Sequence, residues 1–242
     1  MRLSECIVNP VRGPRDPRVP DVGILAVNPA DCTSFPGLAR EYRLRSSSSL
    51  FHAGLYIGEQ VFLAGPAVGA PMAALCLEKL IALGARRVVL YGWCGSLVPD
   101  LPLRALFAPN GGVSEEGTSP HYPHSPGDPA DEGWRQTVCA LLRTRGFSVE
   151  DGLIWTTDAP YRETRVKVAR YAAAGIRAVD MEYMALRAVA AFRGIQLAAI
   201  LKVSDELFHA DWAPGLHTNT FRKESRKMLS ALCALFHVGA LS

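Results

Sequence analysis

Three carboxylates stand where chemistry is the natural question. Asp180, Glu182 and Asp205 each follow a largely apolar segment, Arg177–Val179 for the first two and Gln196–Val203 for the third. An unpaired charge in such a place is expensive to bury. Each therefore either caps a following helix or meets a polar ligand, and the residues alone leave both open. Two glycine clusters accompany them, Gly65-Pro66-Ala67-Val68-Gly69 and Gly92-Trp93-Cys94-Gly95-Ser96, with Thr156-Thr157-Asp158 as a further polar junction. Glycine permits a tight turn or a close approach of backbone to a small ligand. Neither cluster matches the dinucleotide fingerprint, and no Gly-x-x-x-x-Gly-Lys phosphate loop occurs. Gly92–Ser96 also has the outline of a nucleophile elbow, and Cys94, Asp205 and His217 follow the chain order of an α/β-hydrolase triad. An elbow must start a helix, however, and Pro99 and Pro102 interrupt the segment where that helix would run.

The elements that must hold these residues read as strands alternating with helices. Val22–Val27 is a first core strand, and Phe51–Tyr56 with Gln60–Ala64 flank a hairpin turn at Ile57-Gly58-Glu59. Ala70–Leu83 has helical spacing and ends at Gly84; Val88–Tyr91 is a continuous apolar run of the kind buried on both faces. Beyond it come helix 132–145, strand 152–156, helix 162–174, strand 177–180, helix 182–193, strand 196–203 and helix 220–236. This alternation predicts an α/β fold with a mainly parallel sheet covered on both faces. In such sheets ligands bind beyond the carboxyl ends of the strands, where all the junctions above fall. Residues 1–20, with Pro10, Pro14, Pro17 and Pro20 between arginines, are expected to form an extended arm. Residues 21–242 are expected to form one domain, with 108–131 as a long insertion loop rich in Gly, Pro, Ser and His.

Composition narrows the partners. The 242 residues are 49% hydrophobic and 20% charged, which excludes global disorder. Lys+Arg 26 against Asp+Glu 23 leaves +3, too small a surplus to call for nucleic acid. No apolar run approaches the ~20 residues of a membrane span, and the N-terminus lacks the apolar core of a signal peptide. The six cysteines are scattered without metal-ligand spacing, so free thiols in the cytoplasm and no bound metal are expected.

Taken in order, Gly92-Trp93-Cys94-Gly95-Ser96-Leu97, Val179-Asp180-Met181-Glu182 and Val203-Ser204-Asp205 resemble the nucleoside phosphorylase/nucleosidase family. The resemblance runs from about Val22 to Phe236. It implies a three-layer α/β/α fold around a central mixed, mainly parallel sheet, and cleavage of an N-glycosidic bond. Met181 would pack on the ribose and Glu182 would accept hydrogen bonds from its hydroxyls, which suits a charge-assisted contact to a vicinal diol. Asp205 matches the acid that protonates the departing purine in the family, a step typically worth ~10²–10⁴ in rate. His217 stands where a basic helper is expected, with a solvent-facing role as the alternative. Asp180, Gly92, Trp93, Cys94, Gly95 and Val68 would complete the substrate pocket. Trp155, Thr157 and Tyr161 fall on the base-binding loop, where Trp155 either stacks on the base or packs in the core. The stretch Pro160–Arg165 lacks the Gln/Arg pair of uridine-type members in register, which favours a purine-like base.

The acceptor side departs from the family. Its phosphate-binding Arg and Ser/Thr positions hold Leu90 and Trp93 here, and the first-strand loop reads Asn28-Pro29-Ala30-Asp31-Cys32-Thr33. A phosphate dianion needs cations or several N–H donors, which Leu and Trp do not supply. Arg43 and Arg45 are the remaining phosphate candidates, reaching into a neighbouring subunit, with surface solvation as the alternative. The hydrolytic members use a Glu after the first strand, and Asp31 is the only carboxylate near that place. The expected activity is thus phosphorolysis of a purine-like nucleoside by a dimer or hexamer, with inorganic phosphate as co-substrate and no other cofactor. Hydrolysis, a non-catalytic nucleoside-binding role and a thiol hydrolase using Cys94 are the alternatives.

Overall fold

The computed structural model describes residues 6–47, 50–123 and 129–237. In chain order its elements are β1 (Val22–Ala26), α1 (Pro29–Cys32), α2 (Phe35–Glu41), β2 (Arg45–Ser46), β3 (Gly54–Ile57), β4 (Val61–Gly65), α3 (Ala70–Leu83), β5 (Arg87–Ser96) and β6 (Leu106–Ser114). Then come α4 (Pro129–Thr144), β7 (Glu150–Thr156), α5 (Arg165–Ala173), β8 (Ile176–Asp180), α6 (Tyr183–Arg193), β9 (Gln196–Glu206), β10 (Ala213–Pro214) and α7 (Asn219–His237).

Successive β5 residues point to opposite faces of the sheet, as strand geometry requires. Val88 and Leu90 pack beneath α3 and α6, against Leu77, Leu80, Leu186 and Val189. Val89 and Tyr91 pack on the other side, against Val138 of α4 and Met228 and Leu232 of α7. Each fully buried Val or Leu contributes roughly 1.5–3 kcal/mol, so the two layers of helices hold β5 from both faces. Among the described residues no helix is long and apolar enough to cross a membrane.

The sheet is mixed, and part of it closes on itself. β1 pairs in parallel with β4 and β5, and β3 and β2 extend this wing antiparallel. β5, β9, β6, β7 and β8 form a cycle: β5–β9, β6–β7 and β7–β8 are parallel, whereas β9–β6 and β8–β5 are antiparallel. The long end of β5 therefore has β9 on one flank and β8 on the other. Gly95 is the register partner of Asp205 in β9 and of Val179 in β8.

Three expectations need correction. The insertion loop does not begin at 108, because β6 runs on through Ser114. Its Gly-rich sequence serves close backbone approach: a Cβ on Gly112 would lie 2.0 Å from the Ile154 carbonyl oxygen, and the register slips between Pro109 and Gly111. At its other end α4 already begins at Pro129; residues 124–128 lie outside the described residues. Second, the β5 and β9 strands continue to Ser96 and Glu206, past the apolar runs that marked them. Third, β5 leads into no helix, which removes the nucleophile elbow. Of the expected N-terminal arm, the described part is tied down by Lys79, whose Nζ donates to Val11 O and Asp16 Oδ2. Residues 1–5 lie outside the described residues.

Candidate active site

Asp180 ends β8, and α6 begins three residues later. Its Oδ1 accepts from Thr156 Oγ1 (2.6 Å), and its Oδ2 accepts from the backbone N–H of Glu182 (3.1 Å) and Tyr183 (2.6 Å). The first N–H groups of a helix lack intrahelical partners, and a carboxylate in front of them satisfies two at once. Both oxygens are thereby committed, so Asp180 is a helix cap and not the substrate contact expected of it. Glu182 is the next carboxylate and is also buried, yet its engagement is lighter. Oε1 accepts from Gly69 N at the start of α3 (2.7 Å), and the Met181 backbone N–H also favours the charged carboxylate. Burial raises its pKa, and the neighbouring Asp180 charge raises it further. Beside it, Met181 is half-buried and Val68 half-exposed.

Asp205 lies on the opposite flank of β5. Oδ1 accepts from Ser204 Oγ (2.6 Å) and Oδ2 from Trp212 Nε1 (2.8 Å). It opens on a cleft of about 400 Å³ lined also by Tyr161, Glu163, Leu207, His209 and Trp212. Tyr161 is fully exposed and Trp212 is 60% exposed, so two aromatic faces stand free at the rim. Glu163 has its pKa raised to about 8, first by burial and then by the Asp205 charge.

The two flanks meet at Cys94 and Gly95. The Cys94 thiol is buried, and its pKa is pushed up by desolvation and by the negative charges of both Asp180 and Asp205. It senses the two carboxylates together, and a thiolate there is disfavoured three times over. That removes Cys94 as a nucleophile. Gly95 leaves room for both neighbours: a Cβ would lie 2.3 Å from Leu207, 3.2 Å from Val179 and 3.3 Å from Asp205 Oδ2. Gly92 is likewise closed in, by Val27 at 2.7 Å. Thr157 is buried, with its N–H donating to Asp180 O and its Oγ1 accepting from Ala159 N.

Other expected residues lie apart. Trp155 is 0% exposed; its ring packs on Tyr171 at 4.6 Å and its Nε1 donates to Glu115, so it is core and has no free face for a base. His217 is exposed in the turn before α7 and does not line the Asp205 cleft. Its place there is taken by His209, whose Nε2 lies 2.9 Å from Glu206 Oε2. Arg43 and Arg45 line a different cleft, of about 920 Å³, with Arg18, Tyr42 and Gln60. Glu163 and Trp212 were not anticipated from sequence. A Trp seven residues beyond Asp205 is a signal for Trp212 alone; nothing in the sequence around Glu163 marks it.

On the acceptor side, Leu90 is wholly buried in the core beneath α3. Trp93 packs edge-to-face on Phe221 (5.1 Å), and its buried Nε1 makes no well-formed hydrogen bond among the described residues, although it lies close enough to Asp31 to favour the charged carboxylate. Near it the buried Asp31 carboxylate accepts from Ser225 Oγ (2.5 Å), which in turn contacts Tyr91 Oη (2.7 Å). Burial raises Asp31 to about 6, against the stabilising pull of Ser225, the Trp93 dipole and the Lys202 charge. This region offers an anion one buried negative charge, an indole and a buried lysine, Lys202, whose Nζ already donates to Glu224 Oε2 and Arg104 O.

Known proteins share this architecture. A purine nucleoside phosphorylase of the DeoD type from Bacillus cereus is 29% identical over 160 residues, covering 64% of this chain and 67% of that protein. The solved structure of purine nucleoside phosphorylase from Toxoplasma gondii, in complex with immucillin-H, superposes with a TM-score of 0.74 at 20% identity, over 91% of this chain and 92% of that one. AMP nucleosidase from Bacteroides thetaiotaomicron gives a TM-score of 0.69 at 24% identity, over 90% and 88%. A family model described as the phosphorylase superfamily matches residues 21–237, and with the central mixed sheet in place the chain belongs to that superfamily.

Proposed function

We propose that this protein cleaves the N-glycosidic bond of a purine-like nucleoside, with the ribose on Glu182 and the base in the Asp205 cleft. The observation that carries the reading is the shared strand end: Gly95 pairs with Asp205 on one side and with Val179, just ahead of Asp180–Glu182, on the other. The protein donors on Glu182 are backbone N–H groups, of Gly69 and Met181, and its remaining lone pairs can accept from the hydroxyls of a sugar. A carboxylate there also opposes the positive charge that develops on an oxocarbenium-like ribose. The exposed rings of Tyr161 and Trp212 suit the face of a heterocyclic base.

Water is proposed as the acceptor in place of phosphate. Leu90 and Trp93 bring no cation to the acceptor side, and Asp31 adds a buried carboxylate that repels a dianion. Arg43 and Arg45 would serve an anion near Asp205 only from a second copy of the chain, so a phosphate-dependent enzyme would have to be an oligomer of the expected kind. A panel of ribosides incubated with and without inorganic phosphate separates these cases. Free base at equal rates in both is expected. Strictly phosphate-dependent release would overturn the hydrolytic part, and no release under either condition would overturn the nucleoside reading itself.

A further inference from the structure

The cleft of about 920 Å³ that holds Arg18, Arg43 and Arg45 lies at the far end of the sheet from the candidate active site. That site gathers at the last residues of β5 and β9, where Gly95 is level with Asp205. The arginine cleft includes instead the turn Ile57-Gly58-Glu59-Gln60, which leads into Val61. Val61 is level with Val22, and Val22 with Arg87, so the turn adjoins the first residues of β1, β4 and β5. β1, β4 and β3 also stand between β5 and β2, the strand that carries Arg45.

Three guanidinium groups reach this cleft from two separate stretches of chain. Arg18 is fixed through its neighbour: Val19 is buried, and its N–H donates to Leu83 O (3.1 Å). Arg43 follows α2, whose end is closed by the Leu44 N–H donating to Ala39 O (2.8 Å). This closure sets Arg43 in the left-handed region (φ 54), the place that glycine usually takes beyond a helix. A long cationic side chain kept on such a backbone is strained, and strain of this kind collects at ligand sites. Arg45 is held by the pairing of β2 with β3, opposite Ile57. Among the described residues none of the three forms an ion pair, and the one acid on the cleft wall is the exposed Glu59. The guanidinium charges cannot be shed by deprotonation. Around one concave space they repel one another until an anion joins them.

We propose that this cleft binds a polyphosphate chain, free or esterified to a nucleoside, at a site separate from the nucleoside-cleaving one. Planar guanidinium forks match phosphate oxygens two at a time. The volume falls in the range of small-molecule sites, about 300–1,000 Å³. The cations converge on a hollow, and the whole chain carries a surplus of only +3, so a small anion fits better than the backbone of a nucleic acid. Tyr42 and His237, whose rings meet edge-to-face (5.6 Å), line the same cleft and offer a surface to a base. An uncharged nucleoside brings no anion and is not the ligand of this site.

The test is calorimetric titration of the full chain with inorganic tripolyphosphate and, in parallel, with ATP. One site per chain is expected, with an affinity that weakens as salt is raised. Arg18→Gln and Arg45→Gln should each weaken it by about tenfold or more. Arg43→Gly should do the same with a denaturant midpoint unchanged or higher, because glycine is at ease in the left-handed region; the loss is then not unfolding. Arg18→Gln fixes the place, since Arg18 has no part in the acceptor role considered for Arg43 and Arg45. Equal affinities for the two probes assign the contact to the phosphates alone, and tighter binding of ATP that Arg18→Gln also weakens adds the two rings. No binding of tripolyphosphate by folded wild-type protein, an affinity unchanged in Arg18→Gln, or binding abolished by Glu182→Gln overturns the proposal. So does binding of a single-stranded oligonucleotide without binding of tripolyphosphate. None of these results depends on whether base is released from a nucleoside.

Discussion

The two sides of the β5 end are built from similar materials to opposite effect. On the Cys94–Gly95 side, Glu182, Asp205 and Glu163 are carboxyl groups with unspent hydrogen-bonding capacity or an open cleft before them. On the Trp93 side, Asp31 is a carboxylate too, but it is buried, with Ser225 of α7 donating to it and Trp93 beside it. A strand-end acid is thus no site in itself. What separates a ligand contact from a structural charge is the number of protein donors already aimed at it and the space in front of it. Asp180 makes the same point within the active side: three donors fill it, and it serves α6.

That contrast can be broken by substitution. The largest effect is expected at Glu182: Glu182→Gln keeps the shape but removes the charge, and kcat/KM for base release should fall by about 10²–10³. A loss under threefold would place the sugar elsewhere. Next is Trp155→Ala, which should cost about 3–5 kcal/mol of stability, read from the denaturant midpoint. A small stability change with a large activity change would return Trp155 to the site. Asp180→Ala should destabilise by about 1–3 kcal/mol through unmade cap and Thr156 bonds, and affect rate mainly through the position of Glu182.

The Asp31 side has its own signature in pH. Its folded pKa is about 6, above the unfolded value near 3.8. The native state therefore binds the extra proton between those values, and the associated stability, present below about pH 4, is lost as pH rises through 6. Relative to Asp31→Asn, wild type should lose up to about 3 kcal/mol over that window. A flat difference between the two proteins from pH 4 to 7 would show that Asp31 is not buried as described. The smallest expected effect is that of added phosphate on base release, which should be near zero.

Much of this was legible in the chain. Helix Ala70–Leu83 matches its apolar spacing residue for residue, and the alternation of strands and helices specified the layers. Sequence patterning failed where function or close packing outweighed it. β5 and β9 extend beyond their apolar runs because their polar ends, Gly92–Ser96 and Ser204–Glu206, pair across the closing cycle of strands. β6 was hidden by glycines that let its backbone touch Ile154. Glu163 escaped notice because its meaning comes from Asp205, 42 positions away and across the cleft. Trp155 was ambiguous because an aromatic residue at a strand end fits a core as well as a ligand.

The most direct measurement is the structure of this protein with a purine C-nucleoside, whose C–C linkage cannot be cleaved. The account predicts ribose hydroxyls within about 2.6–3.2 Å of the Glu182 carboxylate, and the base against Glu163 and Asp205, covered by Trp212 or Tyr161. A ligand seated in the arginine-lined cleft of Arg18, Arg43 and Arg45, or bound with its sugar away from Glu182, would contradict it.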